Sequence, residues 1–73
     1  MDSKTIRILK LLRLYKHYNK LYRKHYEILS NMMRDGADYY NVEETVLTIA
    51  LLETYEEKMH DIKHHVYRLL ETH

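Results

Sequence analysis

Arg34-Asp35-Gly36-Ala37-Asp38-Tyr39-Tyr40-Asn41-Val42-Glu43-Glu44 lies at the centre of the chain and decides how the rest folds. It holds the only glycine, and the 73 residues contain no proline. Glycine just past a periodic run is a helix C-cap signal, because without a Cβ it enters the left-handed conformation freely. Asn41-Val42-Glu43-Glu44 has the form of a capping box, with Asn41 accepting from the backbone ahead and Glu44 reaching back. One helix ends here and another begins. The prediction is a first helix over residues 3–34, a turn over 35–40 and a second helix over 41–71, in one helical domain. Asp2 or Ser3 is placed to cap the first helix.

Toward the N-terminus, apolar residues recur at helical spacing. Ile8, Leu11, Leu14, Tyr15, Tyr18, Leu21, Tyr22, His25, Tyr26, Ile28, Leu29, Met32 and Met33 fall in one broad arc. That arc is wider than the two-in-seven seam of a dimeric coiled coil, and such a width suits contact with two neighbouring helices. Toward the C-terminus, Leu52, Tyr55, Met59, Ile62, Val66 and Leu69 form a single stripe. Between Val42 and Leu52 the second helix is apolar nearly all round, and Val46, Ile49 and Ala50 point away from the stripe. One partner helix cannot cover such a segment. The expected fold is therefore all-α: an antiparallel two-helix hairpin that dimerises into a four-helix bundle, with Val42, Val46, Ile49 and Ala50 at the oligomer interface.

The size of the chain agrees. Ordering this many residues opposes folding by on the order of 100 kcal/mol, and a lone hairpin has little core to offset it. There is no cysteine, so no disulfide or thiolate metal site can brace it. The absence of cysteine, the lack of any 18-residue apolar run and the lack of an uninterrupted apolar leader lead to the expectation of a cytoplasmic protein.

Charge divides at the same centre. Residues 1–26 carry eight basic side chains against one acid, a net +7; residues 27–73 carry four against ten, a net −6. Arg13, Lys16, His17, Lys20, Arg23 and Lys24 share the side of the first helix opposite the apolar arc, with Lys10 at its edge and Glu27 the one acid among them. A row of cations on a rigid rod suits an acidic protein surface, or the phosphates of a nucleic acid. The leading expectation is a small interaction protein, an adaptor, inhibitor or regulator, that binds an acidic partner through this face. Nucleic-acid binding through the same face is the alternative. Its sharpest form, base stacking on Tyr15, Tyr18, Tyr22 and Tyr26, conflicts with their placement on the apolar arc. Interfacial membrane binding by the first helix is disfavoured by the acidic second helix.

The remaining polar clusters carry less. Glu57, His60, Asp61, His64 and His65 lie on the polar side of the second helix without an HExxH pattern, so no metal site is assigned. His25 interrupts the apolar arc and is read as structural; with facing numbers summing to about 73–75, it is expected beside Thr48. The only serines, Ser3 and Ser30, lie at a terminus and on the polar margin, and no glycine-rich phosphate loop exists. No enzymatic activity, cofactor or small-molecule substrate is expected.

Overall fold

The computed structural model describes residues 2–35 and 42–71. They form two α-helices, α1 (Ser3–Asp35) and α2 (Val42–Glu71), packed along each other. The proposed caps at Gly36 and Asn41 lie outside the described residues. At the start of α1 the cap is Asp2, not Ser3: its Oδ1 accepts from the Thr5 backbone N–H at 2.7 Å, and its carbonyl accepts from Ile6 N–H. The Thr5 backbone bond holds the Asp2 carboxyl below its ordinary value. Its contribution is therefore present above the ordinary carboxylate range and is lost as pH falls below it.

The two helices meet along a seam narrower than the apolar arc. In α1 the covered seam positions are Lys4, Ile8, Leu11, Tyr15, Tyr18, Tyr22, His25, Leu29 and Met32, with steps alternating four and three. In α2 they are Thr45, Thr48, Leu52, Tyr55, Met59, Ile62, Val66 and Leu69, again alternating three and four. A mean step of 3.5 residues is the coiled-coil repeat, which keeps a seam facing its partner by a left-handed wrap. In heptad terms, position a holds Ile8, Tyr15, Tyr22 and Leu29 in α1, and Thr45, Leu52, Met59 and Val66 in α2. Position d holds the other seam residues. Outside the seam, only Asn19, Leu21 and Asn31 of α1 are even half-covered, and every non-seam position of α2 is exposed.

Tyr55 fixes the register. Its ring lies 6.3 Å from that of Tyr18 and 5.3 Å from that of His25, one knob between two residues a heptad apart. Tyr55 is therefore level with residues 21–22, and facing numbers sum to about 77 rather than 73–75. Thr48 consequently sits about one turn beyond His25, which corrects the expected His25–Thr48 pair. His25 Nδ1 instead donates to the Leu21 carbonyl at 2.9 Å, and the Thr48 hydroxyl donates to the Glu44 carbonyl at 2.9 Å. Both side chains are satisfied by their own helix.

The resulting rod measures 55 × 16 × 14 Å, with a radius of gyration of 16.5 Å against about 11 Å for a compact domain of this length. Its core is thin. Met32, Leu52, Ile62 and Thr48 are the buried side chains among the described residues, and the best covered are still 7% exposed. The chain exposes 6196 Å², where a compact monomer of 9.0 kDa exposes about 4,900 Å². Among the described residues, no helix is long and apolar enough to cross a membrane.

Candidate functional site: the outer face of α1 and the apolar flank

The seam leaves each helix with an outer face at positions b, c and f. In α1 this face carries Lys10, Arg13, Lys16, His17, Lys20, Arg23 and Lys24, and all seven are exposed. The same 3.5 repeat that turns Tyr15, Tyr18 and Tyr22 into the seam turns these cations away from α2, which is why no described helix-2 carboxylate reaches them. Among the described residues none of the six lysines and arginines of the row has a carboxylate within 4 Å, although Glu27 shares their face. The row spans Lys10 to Lys24, about 21 Å at 1.5 Å per residue. Arg13 and Lys20, at f, point directly outward, whereas Lys16 and Arg23 stand on the rim beside the e flank and Lys10 and Lys24 on the rim beside the g flank.

The tyrosines expected on the apolar arc divide. Tyr15, Tyr18 and Tyr22 enter the seam, but Tyr26 is an e-flank residue and is exposed. It stacks on Tyr22 at 6.1 Å, and the Tyr22 hydroxyl donates to Glu56 Oε1 at 3.0 Å. That bond favours the neutral phenol and raises the Tyr22 pKa. The sequence reading missed it. The pairing follows only from the observed register, in which Tyr22 and Glu56 face one another.

Of the expected interface residues, the structure puts Val42 and Ile49 on the e flank of α2, and Val46 beside them at b. Val42 is 78% exposed. Ala50, at f, points outward and stands apart from the other three. The structure adds α1 residues to this flank that the sequence reading did not assign: Leu12, Tyr26 and Met33, the last 74% exposed. At the other end of the rod, Leu12, Tyr15, Ile62, Lys63, Val66 and Tyr67 line an open groove of about 300 Å³, which shows the e flanks of the two helices lying on one side. The opposite side, the g flank, holds Leu14, Leu21, Ile28 and Leu51 among Arg7, Glu44, Lys58 and His65.

On the outer face of α2, His60 and His64 approach to 4.5 Å edge to face, and with Asp61, His65 and Arg68 they line a shallow open depression. Among the described residues no three His, Asp or Glu side chains converge on a point where a metal ion would sit. No family model matches the chain, and no curated protein or solved structure matches it.

Proposed function

We propose that the protein is a small non-enzymatic adaptor or regulator that binds an acidic protein surface through the outer face of α1, and that it acts as a homodimer in a four-helix bundle. The observation that carries the binding reading is the row Lys10, Arg13, Lys16, Lys20, Arg23 and Lys24, exposed and, among the described residues, with no carboxylate within 4 Å. Long-range attraction from such a row raises association rates and selects partners of opposite sign. The dimer reading rests on Val42, Val46, Ile49 and Met33, left exposed by a hairpin whose own core is thin. An acidic protein is favoured over nucleic acid because Tyr15, Tyr18 and Tyr22 are committed to the seam and do not form a stacking platform beside the cations.

The test reverses three cations that stand away from the e-flank rim, Arg13, Lys20 and Lys24, to Glu. Exposed changes of this kind alter stability by about 0.5 kcal/mol or less per site. Capture of an acidic partner from host extract is expected to fail for this variant and to survive Glu57→Lys, with helicity unchanged by circular dichroism. Electrophoretic mobility with nucleic acid at two salt concentrations is the companion assay. Tight binding that collapses as salt rises would replace the acidic protein with a phosphate backbone as the ligand.

A further inference from the structure

Resting on the dimer reading above, we infer that the second copy packs on the e flank with its turn at the same end of the rod, so that α1 of each copy lies over α2 of the other. Both the choice of flank and the direction follow from residues already placed.

The e flank is the more apolar side. Near the turn it carries Tyr26, Met33, Val42 and Ile49, with Val46 alongside; at the open end it carries Leu12 and Leu70, with Tyr67 alongside. Between these two patches lie Asn19, Glu56 and Lys63, so the charges of this flank are confined to its middle. The g flank interposes Glu44, Lys58 and His65 along α2. The chain exposes about 1,300 Å² more than a compact protein of its mass, and a stable interface removes about 800 Å² per partner. The excess over a compact chain is thus larger than the area that a dimer interface removes from each partner.

Two twofold axes bring e flank onto e flank. An axis across the rod places α1 over α1 with turns at opposite ends. An axis along the rod places α1 over α2 with turns at the same end. Charge chooses between them. α1 carries nine cations against two acids, a net +7, and α2 three against seven, a net −4. Helices in a bundle are about 8–10 Å apart, close to one Debye length at physiological salt, so the sign of the neighbouring helix matters. The axis across the rod sets +7 beside +7. The axis along the rod sets +7 beside −4 at both edges, and it stacks the turn-end apolar patch on its own copy.

The arrangement makes a specific contact. Arg23 and Glu53 both occupy b positions on the e-flank rim, and with facing numbers near 77 they stand at about the same level of the rod. Within one chain they lie on opposite edges. In the same-end dimer each Arg23 meets Glu53 of the second copy. Lys10, Arg13, Lys20 and Lys24 remain outward for the acidic partner.

Because the chain has no cysteine, Glu43→Cys gives one labelling site per copy, exposed on the outer face near the turn. Sedimentation equilibrium at micromolar concentration is expected to give twice 9.0 kDa. Spin labels at residue 43 are expected about 25–30 Å apart, two to three helix diameters. Separations beyond about 40 Å would overturn the same-end arrangement while leaving the dimer standing; a monomer would remove the dimer itself. Arg23→Glu is expected to weaken the dimer about tenfold at low salt, and adding Glu53→Arg to restore it. Failure of the double variant to restore binding would break the Arg23–Glu53 pairing and the geometry that predicts it.

Discussion

From Val42 to Leu51, α2 turns Thr45 and Thr48 toward α1 and leaves Val42, Val46, Leu47, Ile49 and Leu51 exposed. From Leu52 to Leu69 the pattern is reversed: Leu52, Tyr55, Met59, Ile62, Val66 and Leu69 face α1, and Glu56, Lys58, Lys63 and His65 flank them. One continuous helix is thus apolar outside at one end and apolar inside at the other. The hydrophobic effect has no preferred direction of its own. The longer stripe of the distal half sets the register, and the 3.5 repeat carries that register through two threonines. The aliphatic residues beside the turn are then surplus to the hairpin, and their burial requires another surface.

The largest expected effect separates the two sides of that surplus. Ile49, on the e flank, is 41% exposed in the single chain, and Leu47, at a c position outside that flank, is 59% exposed. By exposure alone, Glu at either site should be tolerated. With the second copy on the e flank, Ile49→Glu places an unpaired charge in a closed interface, which is opposed by several kcal/mol. The dimer is expected to weaken by at least about a hundredfold for Ile49→Glu and hardly at all for Leu47→Glu. Sedimentation of both variants decides it, and dissociation by Leu47→Glu alone would move the interface off the e flank.

A smaller effect tests the seam itself. Leu52 is 7% exposed and Leu51, its neighbour in sequence, is 40% exposed. Leu52→Ala removes packing from a core with few other buried side chains, and is expected to destabilise the chain by about 2–4 kcal/mol. Leu51→Ala is expected to stay within about 1 kcal/mol. Urea titration followed by circular dichroism measures both. Equal losses would mean that the g flank is covered as well, and the contrast between inside and outside would fail.

The helices themselves were legible because apolar recurrence, the absence of proline and the single glycine all agree, and α1 and α2 run within a residue or so of their predicted limits. The width of the contact was not. An arc containing Leu14, Tyr26, Ile28 and Met33 reads as one buried surface, but two helices can share only the a and d positions, so those four residues remain exposed. Register was also hidden. Counting from Gly36 places His25 beside Thr48, whereas the Tyr55 ring, lodged between Tyr18 and His25, moves Thr48 about one turn away. The outward direction of the cations needed only the period, and for that reason the basic row was readable residue by residue.

The smallest expected effect concerns the polar part of the seam. Thr48 is buried, yet its hydroxyl donates to the Glu44 carbonyl of its own helix and not across to α1. That carbonyl sits four residues back and already serves the helical backbone, so removing the hydroxyl strands no partner. Thr48→Val keeps the β-branch, and with it nearly the same helix propensity. The new methyl is sheltered, which contributes up to about 0.8 kcal/mol, offset in part by the lost hydrogen bond. The net change is expected to be stabilising by less than about 1 kcal/mol, a rise of a few degrees in melting temperature. Because Thr48 lies between α1 and α2 and not on the e flank, the rise should be equal at low and high protein concentration. A loss of more than about 1 kcal/mol would mean that the hydroxyl has a partner beyond its own helix. A rise confined to high concentration would mean that Thr48 faces the second copy. The second result would show that the turn-proximal half of α2 is arranged for the dimer even along its inner side.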